Sequence, residues 1–219
     1  MPDLVMGDRI RERVREFFKK GHKSGNKLYA INTDGSFDPV QWQALHVKAL
    51  ARYNHAMDSD RLRLPGMAYY ALAQALIRVP ITDRAGNCGE QAALSAWYAL
   101  KTEFIRRDLI YIATITNPGD HVFCLVTDRP IANPPQAYAS VRAFCGANDA
   151  PNYLVIDPWL NTSSAGDQYL LRAGQKLEEW QQDGKRVGWA HGRQGNGWYP
   201  PAGEYKHLFA FAPVSIQAF

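Results

Sequence analysis

Ala85-Gly86-Asn87-Cys88-Gly89-Glu90-Gln91-Ala92-Ala93-Leu94 reads as a loop that turns into a helix with a cysteine in its first turn. Asn87 is a good N-cap, and Glu90, three residues on, completes the pattern of a capping box. Cys88 then takes the first helical position. Unpaired backbone N–H groups and the positive end of the helix dipole both favour a thiolate there. A cysteine that only fills a core needs none of this. Ala92, Ala93, Leu94, Ala96, Trp97 and Leu100 continue the stretch as an apolar helix. It is expected to run to about residue 107 and to sit centrally in the fold.

Beyond this helix the pattern changes period. Residues 109–115 are β-rich, 117–120 form a turn, and 121–127 are a second β-rich run, so the two read as an antiparallel hairpin. A Pro/Ala/Gly-containing connection over 129–151 carries a short helix near 138–143. Residues 153–156 are a third strand, closed by Asp157-Pro158-Trp159. Residues 166–182 are expected to be helical, 184–203 a Gly/aromatic loop, and 205–214 a final strand. Trp180, Trp189 and Trp198 are evenly spaced but share no local motif, so they are no repeat.

Before the cysteine the chain is helical. Ile10, Val14, Phe17 and Phe18 mark one face of a helix over 6–20. A short strand over 27–31 and a turn at 32–36 follow. Asp38-Pro39 starts a helix over 39–56, with Asp as cap and Pro in the first position. Pro65-Gly66 opens a helix over 66–79, stopped by Pro80. The expectation is an α+β fold, with helices on an antiparallel sheet. Residues 1–80 form a helical amino-terminal part that packs on a catalytic core of 81–219, in one continuous domain.

Bulk properties exclude several classes. The 219 residues carry a net charge of +4 without a long Lys/Arg run. The basic stretch from Arg9 to Lys23 alternates with Glu12 and Glu16, as a solvated helix face does, and offers no nucleic-acid patch. No apolar run approaches a membrane span of about 18–20 residues, and Met1-Pro2-Asp3 opens no signal core. The protein is therefore expected to be soluble and to bypass the general secretory route. Three cysteines make an odd count, against a disulfide framework and in favour of a reducing compartment.

A nucleophilic thiol needs a base, and the base needs an orienting group. His121 opens a strand directly after a turn, and Asp157 closes another directly before Pro158. If the two strands are neighbours, the carboxylate can hold the imidazole and the imidazole can face the thiol. Cys88 would attack an amide carbonyl, His121 would pair with the thiolate and later protonate the leaving amine, and Asp157 would fix the ring tautomer. The Cys88 N–H is one oxyanion donor. The second could come from Asn87, Gln91 or the 81–86 loop. Gly89 and Trp159 flank the reacting groups and are candidates to line the substrate site.

Each residue also has a plainer reading. A lone cysteine is by default a small core hydrophobe, and it is the Gly-Asn-Cys-Gly-Glu setting that distinguishes Cys88. A histidine in a strand can be a satisfied core residue, and an aspartate before proline a turn residue. Asp120 is a turn residue and the fallback orienter. His191 is a rival base, while His22, His46, His55 and His207 read as surface or packing residues. Cys124, three residues past His121, points to the other face of its strand and belongs to the core. Cys88, His121, Cys124 and Cys145 fit no usual zinc spacing, and neither a metal nor an organic cofactor is implied. The 184–203 loop is either a substrate-gripping lid or ordinary irregular chain.

Gly86-Asn87-Cys88-Gly89-Glu90, Asp120-His121-Val122-Phe123 and Val155-Ile156-Asp157-Pro158-Trp159 together resemble the papain-like/transglutaminase-like cysteine superfamily. Within it the resemblance is to bacterial effector and toxin domains with a Cys-His-Asp triad, which are glutamine or asparagine deamidases and effector proteases. It covers residues 86–159 and not the amino-terminal helices or the tail. It implies a thiol at a helix start, with the histidine and aspartate on adjacent antiparallel strands. It also implies a protein substrate in a host or competitor cell and delivery from the bacterial cytoplasm by a specialised secretion system. A secretion chaperone or immunity protein would be a fitting partner. No glutamine stands a few residues before Cys88, as in papain-type proteases, so the second oxyanion donor must come from elsewhere. Deamidation is the expected reaction, with proteolysis and transglutamination sharing its thioester intermediate. A cell-wall amidase and an inert binding module that keeps the fold are the competing readings.

Overall fold

Asp3 caps the first helix, α1 (Leu4–Phe17), by accepting the Met6 N–H at 3.1 Å. This is a computed structural model, and it describes residues 3–19, 27–29, 68–81, 84, 86–116, 121–132, 136–189 and 197–219. Met6, Ile10, Val14 and Phe17 recur at helical spacing and are buried. Arg9 reaches from the polar side to Glu103. After the short strand β1 (Lys27–Tyr29), helix α2 (Tyr69–Leu76) buries Tyr69, Leu72, Ala73 and Leu76. Helix α3 (Cys88–Lys101) is buried continuously from Cys88 to Ala96, as expected of a central element. It packs along three sheet strands and against both α1 and α2.

The sheet comes next. β2 (Ile110–Ile115) and β3 (His121–Thr127) form the expected hairpin, with Ile115 opposite His121. β4 (Gln136–Tyr138) precedes the short helix α4 (Val141–Cys145), and β5 (Tyr153–Asp157) lies antiparallel to β3 with Cys124 opposite Ile156. β6 (Thr162–Ala165), helix α5 (Tyr169–Gln182), β7 (Lys185–Trp189), β8 (Gly197–Tyr199), helix α6 (Lys206–Phe211) and β9 (Val214–Ala218) complete the order. One antiparallel sheet runs β4-β9-β2-β3-β5-β6, and a smaller one runs β1-β7-β8. The architecture is α+β. Among the described residues no helix is long and apolar enough to cross a membrane.

Every residue of β3 and β5 is buried, so both faces of the sheet centre are covered. Each large side chain buried in this way contributes about 1.5–3 kcal/mol. α1 covers the face that carries Leu154. A side chain at Gly7 would place its Cβ 2.9 Å from Leu154 Cδ1 and 3.2 Å from Ser163 Cβ. The opposite face carries Phe123 and Tyr153, packed against Phe144 of α4, with Tyr169 of α5 also on Phe123. Side chains of α1, α2, α3, the sheet and α5 belong to one buried cluster.

Four expectations need correction. The cysteine helix stops at Lys101, not near 107. Thr102 caps it, its hydroxyl bonded to the Tyr98 carbonyl, and Phe104 turns the chain with a positive φ of 56°. The 184–203 stretch, read as a loop, holds β7 and β8, paired through Val187 and Tyr199. Of residues 205–214, read as a strand, Lys206–Phe211 form α6 instead, and the strand begins only at Val214. Tyr205 and Phe209 are buried four residues apart, a helical period that the aromatic content disguised, and Pro213 separates them from the true strand β9. β4 and β6 are edge strands that carried no expectation, and the short helix lies at Val141–Cys145, capped by Ser140. The expected elements at 32–36, 39–56 and 117–120, and the start of the 66–79 helix, lie outside the described residues.

Gly7→Val should force α1 off Leu154 and Ser163 and destabilise the protein by about 1–3 kcal/mol. Urea unfolding should show a lower midpoint with an unchanged slope. An unchanged midpoint would mean that α1 does not lie this close to β5 and β6.

Candidate active site

The loop before α3 is built to present Cys88. The Asn87 N–H donates to Glu90 Oε2 at 2.8 Å and the Asn87 side chain accepts the Glu90 N–H, completing the capping box. Gln91 is buried and its Nε2 donates to the Gly86 carbonyl at 3.2 Å, which ties the loop to the helix. Gly86 is required by close approach, since a Cβ there would lie 2.6 Å from the Phe18 ring. Asn87 and Gln91 were candidate oxyanion donors. The bonds described here hold the loop in place. Gly89 is buried in the same first turn.

His121 and Asp157 come from neighbouring strands. Continuing the β3–β5 register by one residue sets Asp157 opposite Phe123, so His121, two residues along, projects from the same face. His121 Nε2 meets Asp157 Oδ2 at 2.7 Å. The Cys88 side chain hydrogen-bonds the same ring. Nε2 is taken by the carboxylate, so Nδ1 is the nitrogen left for the thiol. Cys88, His121 and Asp157 thus form one continuous chain of contacts. Their exposures are 9%, 1% and 0%, so Cys88 is the least buried of the three.

The carboxylate has two further donors. The Leu160 N–H binds Oδ1 at 3.0 Å, and the Tyr169 hydroxyl binds Oδ2 at 2.8 Å. A buried carboxylate without such donors would cost several kcal/mol. The turn that carries Leu160 is held from α1: Arg15 donates to the Pro158 carbonyl at 3.2 Å and Arg11 to Asn161 at 3.4 Å. Asn161 takes the left-handed φ of 58° that the turn needs and that asparagine tolerates.

Aromatic rings enclose the imidazole. Trp159 lies 4.9 Å from it, Phe209 5.8 Å and Phe123 6.2 Å, centroid to centroid. Trp159 is 1% exposed and packs on Trp180, so its ring covers His121 and does not line an open substrate site. Burial by itself drives the imidazole toward its neutral form. Asp157, by charge and by hydrogen bond, and then Cys88 oppose burial and prevail, and the His121 pKa is pushed up to about 10. The π faces around the ring favour the same cation.

The other thiols are in different surroundings. Cys124 is fully buried on the opposite side of β3 and burial pushes its thiol far up. Burial pushes Cys145 up to about 11. All three cysteines are unbridged. His207 is exposed and lies against Phe211 in a tilted arrangement, 4.8 Å between centroids, as a surface packing residue. Asp120, His191, His22, His46 and His55 lie outside the described residues. Among the described residues no cluster of three His, Cys, Asp or Glu side chains is placed to hold a metal ion.

Sequence reasoning missed Tyr169, Leu160 and Phe209. Tyr169 lies twelve residues beyond Asp157, at a helix start, and no local spacing links the two. Phe209 was hidden by the misreading of α6 as a strand. Comparison of the chain with protein-family models, with curated proteins and with solved structures found no match in any of the three.

The raised His121 pKa makes stability depend on pH. The unfolded chain should protonate His121 near its ordinary value of about 6.5. The stabilisation is therefore complete below about pH 6.5 and is lost as pH rises through about 10. Unfolding free energy measured in urea should fall across this window by an amount on the order of a few kcal/mol. Asp157→Asn removes the main opposition to burial and should flatten the dependence. A flat wild-type profile would contradict the assignment.

Proposed function

We propose that the protein is a cysteine-dependent enzyme that cleaves carboxamide bonds through a thioester on Cys88. The observation that carries this is the Cys88–His121–Asp157 chain at the start of a capped helix. The thiolate, paired with the His121 imidazolium, attacks the amide carbon and a C–S bond forms. The developing oxyanion is met by backbone N–H groups at the start of α3, the Cys88 N–H among them. The imidazolium passes its proton to the nitrogen, the C–N bond breaks, and ammonia or an amine leaves. The ring, now neutral, takes a proton from water as the oxygen attacks the thioester. The C–S bond then breaks, giving a carboxylic acid that loses its proton to solvent and restoring the ion pair.

The substrate class follows from the sequence resemblance to papain-like/transglutaminase-like effector and toxin domains. It points to the side-chain amide of glutamine or asparagine in a protein of a host or competitor cell, after delivery by a specialised secretion system. Hydrolysis of that amide is deamidation. Transfer to an amine and cleavage of the main chain use the same intermediate.

Intact-mass spectrometry of lysate proteins incubated with wild type and with Cys88→Ala tests this. A gain of about one dalton on a target, absent with Cys88→Ala, is the expected result. An added amine would mean transglutamination and fragments would mean proteolysis, each keeping the thioester. No Cys88-dependent change in any protein would count against an enzyme acting on protein amides.

A further inference from the structure

Asp157 Oδ2 is shared by two donors that come from different parts of the fold, His121 Nε2 at 2.7 Å and the Tyr169 hydroxyl at 2.8 Å. An ionised carboxylate only accepts, so the phenol is fixed as a donor. Tyr169 is fully buried, and its ring packs 4.6 Å from Phe123 and 6.0 Å from Phe209. The hydroxyl is therefore held by its ring and cannot follow Asp157 if the carboxylate rotates. The approach to Tyr169 is built for close packing as well. It follows the turn Gly166–Gln168, where a Cβ at Gly166 would lie 2.6 Å from the Ala150 carbonyl oxygen.

We propose that Tyr169 is a positioning residue of the candidate active site: its hydroxyl locks the Asp157 carboxylate in the rotamer that holds His121 against Cys88. This inference rests on the cysteine-enzyme reading above and adds a fourth member to its machinery. Leu160 N–H fixes Oδ1, Tyr169 fixes Oδ2, and the carboxylate is left with one orientation toward the ring. Without the hydroxyl, Oδ2 keeps one donor, and the carboxylate is free to turn away from Nε2. The ring then presents less positive charge to the thiolate. The titratable groups that face this hydrogen-bond chain are Asp157 on β5, His121 on β3, Cys88 on α3, Cys145 on α4 and Tyr205 in the turn before α6. Burial first, and then the Asp157 charge, keep the Tyr169 phenol protonated well beyond neutral pH.

The test needs no substrate. Alkylation of Cys88 by iodoacetamide is followed across pH in wild type, Tyr169→Phe, His121→Ala, Asp157→Asn and the Tyr169→Phe/Asp157→Asn double variant, with folding checked by near-UV circular dichroism. Tyr169→Phe keeps the ring and its packing. It is expected to slow alkylation at neutral pH about fivefold or more, and to move the midpoint of the pH profile upward by about half a unit or more. In the Asp157→Asn background the same change should have no further effect, because Tyr169 acts through the carboxylate. If Tyr169→Phe alone does not fold, Tyr169→Leu takes its place in both backgrounds and is read in the same way. A wild-type profile in Tyr169→Phe overturns the role of Tyr169 while leaving the triad in place, provided His121→Ala slows the reaction. An equal loss in both backgrounds would make Tyr169 a structural residue and overturns the inference too. If neither Tyr169→Phe nor His121→Ala alters the rate, the activated-thiol reading falls and this inference falls with it.

Discussion

A carboxylate with no exposure to water, hydrogen-bonded to an imidazole with almost none, is the constraint on which the rest of this structure turns. Burial alone would keep the imidazole neutral. Taking both out of water is costly, and their mutual attraction offsets the cost only when the remaining lone pairs are satisfied. Asp157 meets that condition with three donors: an imidazole, a phenol and a backbone amide. Each comes from a different place in the chain, so the ion pair can exist only when β3, β5, the turn after β5 and the start of α5 are all assembled.

The rest of the fold can be understood as support for that pair. The β3–β5 register sets His121 and Asp157 on one face, and a slip of one residue would send them to opposite faces. α1 clamps the turn that supplies Leu160, through Arg11 and Arg15, and covers the sheet face behind it. Trp159, Phe209 and Phe123 keep water from the ring. α3 brings the thiol to the imidazole end of this arrangement. Its capping box and the Gln91 bond to Gly86 fix where the first turn begins, and hence where Sγ stands. The most exposed of the three site residues is thus held by local bonds, and the other two by tertiary packing.

This division explains how much could be read from the sequence. The capping box is a local pattern with a local physical cause, so Cys88 and the start of its helix were legible. His121 and Asp157 were legible as strand ends because a turn and a proline mark them, and the β3–β5 pairing then followed the expected hairpin and third strand. Tyr169, the Leu160 amide and the aromatic wall were not. Their meeting with Asp157 and His121 is decided by how α5 and α6 pack on the sheet, and no short-range spacing encodes it. The run from Tyr205 to Phe211 was misread because aromatic residues favour strands in isolation, whereas here Tyr205 and Phe209 use helical spacing to face Trp159 and His121 respectively. The α+β class survived these errors because it depends on the alternation of helical and strand periods across the whole chain.

The claim at the centre of this account is that His121 is a cation at neutral pH, held so by Asp157 and turned toward Cys88. Nitrogen-15 NMR of the imidazole in selectively labelled protein measures this most directly. Both His121 ring nitrogens should carry protons at neutral pH and lose that state only near the raised value of about 10, while Asp157→Asn should give a neutral ring. A wild-type His121 with a single protonated nitrogen at neutral pH would contradict the account.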